Sequence, residues 1–123
     1  MSKITSIMEK TFTGETTEVG LYLAMAKKAE LEGHADVAMY LRKLAEEEAG
    51  HACEVATLLG KIKDTRFNLE MMHQGETMAT KEKLDAAKIA REEGNNDAAI
   101  FFESASKDEN RHRSGLETFI KRL

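Results

Sequence analysis

The chain has 123 residues, of which 33% are charged, with a net charge of −4, a single cysteine and no proline. This length suits one domain, residues 1–123, with a modest core, and a proline-free composition dominated by Ala, Leu, Met, Glu and Lys predicts an all-α fold of long helices. No basic stripe is present for nucleic acid, and no apolar run approaches the roughly 20 residues of a membrane span.

Glycines mark the helix ends. Gly33, Gly60 and Gly94 each follow an apolar-periodic run and suit the left-handed position after a helix C-terminus. Four helices are predicted at roughly 12–32, 35–59, 65–93 and 96–121. No element is predicted for the first ten residues. In the first helix, Glu15, Glu18, Tyr22, Met25 and Ala29 fall on one stripe. In the second, Leu41, Leu44, Glu48, His51, Val55 and Leu58 do the same, which predicts that an acid and an imidazole face the core. Asp64-Thr65 is the predicted N-cap of the third helix, where Met72, Glu76, Ala79 and Ala87 share a stripe with Lys83. Asn96-Asp97 is the predicted N-cap of the fourth, whose stripe is Ala98, Phe102, Ala105, Glu109, His112, Leu116 and Phe119.

The two halves, about 12–60 and 65–121, repeat at an offset of 61 residues. Gly14-Glu15-Thr16 recurs as Gly75-Glu76-Thr77, and the Glu-x-x-His of Glu48 and His51 recurs as Glu109 and His112. Each half therefore supplies one isolated glutamate and one Glu-x-x-His pair, the plan of a two-metal carboxylate site in a four-helix bundle. A lone Glu-x-x-His is a weak signal in a Glu-rich helix, whereas two in register with matched upstream glutamates form a strong one.

Burying so many carboxylates without cations would cost several kcal/mol each. A pair of divalent ions would neutralise the four glutamates, and the oxygen and nitrogen donors suit iron or manganese, with zinc as a substitute. Other candidates lack the repeat symmetry. His34 and His73 have Asn95 and Phe12 as mates and are expected at the surface, while Cys53 and the methionines are expected to be packing residues.

The stretches Gly14-Glu-Thr-Thr-Glu-Val-Gly-Leu-Tyr-Leu-Ala-Met, Asn68-Leu-Glu-Met-Met followed by Gly75-Glu76, and Lys107-Asp-Glu-Asn-Arg-His resemble the rubrerythrins, most of all the branch called reverse rubrerythrins. The resemblance covers nearly the whole chain and implies a ferritin-like bundle with two iron ions held by Glu15, Glu48, His51, Glu76, Glu109 and His112, Glu48 and Glu109 bridging them. It also implies reduction of hydrogen peroxide to water. A rubredoxin iron site needs paired Cys-x-x-Cys motifs and only Cys53 exists, so a separate donor such as rubredoxin is expected. Rubrerythrins commonly carry a further carboxylate at the position of Ala79. Here the acid stands at its repeat mate, Glu18, which becomes the candidate redox-responsive ligand. Tyr22 matches a family tyrosine near the metals, whereas its mate is Lys83. The alternatives are a ferroxidase or iron-binding protein and a metal-binding bundle without catalysis.

In ferritin-like bundles the second and third helices run parallel. Residues 60–64 reach about 17 Å when extended, against a return path of roughly 30 Å, which predicts a domain-swapped homodimer. A lone cysteine and the lack of a secretory apolar run in the first twelve residues lead to the expectation of a cytoplasmic protein.

Overall fold

The computed structural model describes residues 1–123 and contains four helices, α1 (Lys3–Leu31), α2 (Ala35–Leu58), α3 (Thr65–Glu92) and α4 (Asn96–Ile120). It is all-α, as composition implied. The chain forms two compact units, Met1–Ile62 and Lys63–Leu123, each an antiparallel hairpin in which α1 packs on α2 and α3 on α4. None of the helices is long and apolar enough to cross a membrane.

Three predicted ends are realised through one device. Gly33, Gly60 and Gly94 have φ of 83°, 72° and 74°, a region that a side chain disfavours. At each, the next residue's N–H reaches back to a carbonyl five residues earlier: His34 to Ala29, Lys61 to Ala56 and Asn95 to Ala90. Asp64 caps α3 as predicted, accepting from the Phe67 N–H at 2.9 Å. The cap of α4 is Asn95 rather than Asn96 or Asp97, its side-chain oxygen accepting from the Ala98 N–H at 3.1 Å.

The start of α1 departs from the sequence expectation. It begins at Lys3, nine residues before position 12, with Ser2 as its cap. Threonines at 11 and 13 lower helix propensity, but their hydroxyls donate to the carbonyls of Ile7 and Glu9 and are satisfied within the helix. Lys61, just past α2, pairs with Glu9 at 3.3 Å and lies 5.8 Å over the Phe12 ring. Shifted by 61 residues, the start of α1 falls within one residue of the start of α3, so this segment belongs to the repeat.

The buried seam of each hairpin is made of small residues. Ala26, Ala29, Ala38, Ala45, Ala52 and Ala56 are buried in the first unit, and Ala87, Ala90, Ala99 and Ser106 in the second. Eight of these form four repeat pairs: 26 with 87, 29 with 90, 38 with 99 and 45 with 106. Small side chains let the two helix backbones approach closely, which sets how far apart ligands on neighbouring helices stand. At 106 the serine hydroxyl donates to the Thr80 carbonyl at 2.8 Å. Ser106→Ala should cost only about 1 kcal/mol, because its mate Ala45 shows that the seam accepts alanine; urea denaturation checks this.

Each hairpin also carries a cross-helix ion pair. Arg42 meets Glu30 at 2.6 Å in the first, and Arg91 meets Glu103 at 2.7 Å in the second. These four positions are repeat mates with the charges exchanged, 30 matching 91 and 42 matching 103.

Candidate metal centre

In the first hairpin α1 supplies Glu15 and α2 supplies Glu48 and His51; in the second α3 supplies Glu76 and α4 supplies Glu109 and His112. Within each triad one donor atom from every residue lies within 4.8 Å of the others. His51 Nδ1 stands 3.4 Å from both Glu15 Oε2 and Glu48 Oε1, and His112 Nδ1 stands 3.5 Å from Glu76 Oε2. The three-residue spacing within Glu-x-x-His puts the acid and the ring on adjacent turns, and the alanine seam brings the third carboxylate across from the neighbouring helix.

Glu15 Oε2 and Glu76 Oε2 are shielded from solvent and have no hydrogen-bond partner. The nearest imidazole nitrogen stands 3.4 Å from the first and 3.5 Å from the second. Two repeat-related acceptors left open beside a ring nitrogen are what a cation would satisfy, so the donor set fits a metal ion.

The stripes lie differently from the sequence expectation. The ligands do not sit in the middle of a buried face: the alanine seam is buried, and Glu15, Glu48, Glu76 and Glu109 are half-buried beside it. The histidine side chains are 59% and 48% exposed at His51 and His112. Leu58, Met25, Met72 and Phe119 are likewise exposed rather than packed. The longer side chains stand on the open face of each hairpin because the space between the paired helices admits only small residues.

Glu18 is exposed and hydrogen-bonded to Glu48; that bond first, then desolvation and the Glu48 charge, hold its carboxyl above the ordinary value of 4.5. Glu76 is raised in the same way, first by its hydrogen bond to Glu109, then by burial and the Glu109 charge. Tyr22, Ala79 and Lys83 are half-buried on the same stripes. His34 is exposed as expected, whereas His73 is half-buried with a shielded, unpartnered Nε2. Cys53 is exposed, not a packing residue of the hairpin seam.

A carboxyl whose folded pKa is raised contributes stability below its unfolded pKa and loses it as pH rises through the folded value. Metal-free protein should therefore lose stability as pH climbs above 4.5, and Glu76→Gln should flatten that slope. Thermal melts in chelator across this range test it. Asp85, lowered by its bond to Lys81, acts oppositely and only near or below 3.8.

Two carboxylate and histidine triads that could each hold a metal ion stand on repeated helical hairpins, and four helices without a strand suit the ferritin-like class. The chain belongs to the rubrerythrin family, whose model matches residues 6–120, and the rubrerythrins are in general di-iron oxidoreductases. It is similar to an uncharacterized protein of Methanocaldococcus jannaschii, 46% identical over 116 residues that make up 94% of this chain and 82% of that one. It is also similar to reverse rubrerythrin-1 of Clostridium acetobutylicum, 40% identical over 113 residues, 90% of this chain and 62% of the relative's length.

Proposed function

We propose that this chain holds two iron ions in one centre and reduces hydrogen peroxide to water in the cytoplasm, with electrons from a separate carrier such as rubredoxin. The observation supporting a metal centre is the pair of shielded, unpartnered oxygens of Glu15 and Glu76 beside the imidazole nitrogens. Family membership supports iron and redox chemistry, with manganese or zinc as substitutes. The ligands are Glu15, Glu48, His51, Glu76, Glu109 and His112. Two ferrous ions would supply the two electrons that split one O–O bond, and two protons complete two waters.

The chain's own residues position and neutralise. Four glutamates would offset the charge of two divalent ions, and His51 and His112 present Nδ1 beside the carboxylates. The bond from Glu18 to Glu48 holds the Glu18 carboxyl above its ordinary value at the edge of the first triad. Once ionised, Glu18 is a fifth carboxylate able to offset charge as the metals are oxidised. Tyr22, half-buried on the same stripe, is the candidate to stabilise the site by hydrogen bonding.

Anaerobic loading with ferrous iron and rapid mixing with one equivalent of peroxide per iron pair is the test, with oxygen in parallel. Oxidation much faster by peroxide than by oxygen is expected. Faster reaction with oxygen would point to ferroxidase chemistry, and no oxidation of bound iron to binding without catalysis. Glu18→Ala should slow turnover while most iron stays bound; unchanged turnover would remove Glu18 from the mechanism.

A further inference from the structure

The repeat that duplicates the ligands departs from itself at two places on the ligand stripe. Where the first hairpin carries Glu18 and Tyr22, the second carries Ala79 and Lys83. Glu18, hydrogen-bonded to Glu48, brings a third carboxylate to the first triad. The second triad keeps two carboxylates, and the residue one turn beyond Ala79 is a cation.

Lys83 is half-buried and lies seven residues after Glu76, about 10 Å along the helix axis on the same stripe. Every Cα–Cβ bond in a helix inclines towards the N-terminus, so the lysine stem starts back over Ala79 towards Glu76, and alanine leaves that path open. No acid draws the ammonium elsewhere. Asp85, two residues on, is taken by Lys81 at 2.9 Å. The arginines flanking His112 are paired as well, Arg111 with Asp108 at 3.0 Å and Arg113 with Glu117 at 3.1 Å. The Lys83 ammonium itself is in no ion pair or hydrogen bond.

The formal charge around the two histidines therefore differs. Glu15, Glu18 and Glu48 sum to −3 about His51, whereas Glu76, Glu109 and Lys83 sum to −1 about His112. Against a divalent cation at about 10 Å in a water-like dielectric, each unit charge changes affinity about fourfold, so a gap of two charges is worth about tenfold or more.

We propose that Lys83, opposed by Glu18, sets the order in which the two triads take metal. The first divalent ion enters at Glu15, Glu48 and His51, and Lys83 keeps the triad of Glu76, Glu109 and His112 about tenfold weaker. The ion on the second hairpin is the last to enter and the first to leave. Lys83 acts through its charge and is not a ligand. The inference rests on the reading that both triads bind metal, and is independent of the peroxide chemistry.

Zinc titrated into the metal-free chain at low ionic strength, followed by nitrogen–proton NMR of the histidine rings, tests the order. Repulsion between two ions weakens the second in any paired site, but equal triads would share the first equivalent and move both ring signals together. The His51 signals should instead move during the first equivalent and those of His112 during the second. Lys83→Met keeps the stem and removes the charge, so it should strengthen the second triad about fourfold and narrow the gap, while Lys83→Arg should preserve it. Lys83→Tyr, which restores the residue of its repeat mate, is a second neutral variant should methionine disturb the hairpin. Added salt should narrow the wild-type gap as well.

Both rings moving together in the wild type, or His112 moving first, overturns the proposal, as does an unchanged gap in the neutral variants. A chain that takes zinc at neither ring overturns this inference and the metal reading together. A failed peroxide assay leaves the titration intact, since only ring signals and zinc affinity are read.

Discussion

Replacing Glu15 and Glu76 together by methionine should raise the melting temperature of the metal-free protein and abolish its metal binding. Each residue has one carboxylate oxygen shielded from water with no partner, and such a group costs about 1–3 kcal/mol. Methionine keeps the length and flexibility of the side chain and removes the polar atoms. In a chain of this size each kcal/mol moves the midpoint by about 4–8 °C, so the gain is large enough to measure by calorimetry. With metal present the ranking should reverse, since the wild type gains binding energy and the variant does not. A variant that melts below the metal-free wild type, or still retains metal, would show that these oxygens are not the strained feature of the site.

Ala38→Leu and Ala99→Leu should damage metal binding from far away. Both positions are fully buried in the seams, at 0% exposure, and each lies ten residues before the ligand glutamate of its helix, about 15 Å along the axis. Three added carbons have no space there, and overpacking of this kind costs about 1–3 kcal/mol or pushes the helices apart. Separation would widen the gap that Glu15 spans to His51, and Glu76 to His112. Weaker metal retention and a lower melting temperature are expected together. Leucine at Met39, 72% exposed beside the seam, is the control and should change neither.

The ligand set was legible because duplication writes it twice: Glu15, Glu48 and His51 recur at one offset as Glu76, Glu109 and His112. Helix ends were legible where glycine is required by a positive φ. Of the seam only Ala29 and Ala87 were on the predicted stripes, because alanine contributes little to a search for large apolar periodicity, although the recurrence of Ala26, Ala29 and Ala38 at 87, 90 and 99 carried the signal. No element was predicted for the first ten residues, and the hydroxyl bonds of Thr11 and Thr13 to the preceding turn lie beyond any residue count. That the long side chains occupy an open face follows from the width of the seam, which only coordinates reveal.

A chain with duplicated helices faces a sorting problem as it folds, since α1 resembles α3 and α2 resembles α4. The exchanged ion pairs address it. Were α1 to pair with α4, Glu30 would oppose Glu103; were α3 to pair with α2, Arg91 would oppose Arg42. These side chains are about half exposed, so each wrong pairing forfeits an attraction and gains a repulsion of no more than about 1 kcal/mol apiece. Both errors arise together in one chain, and the doubled bias favours sequence neighbours over their look-alikes. The halves are thus free to keep the same ligands without losing track of which helix belongs to which.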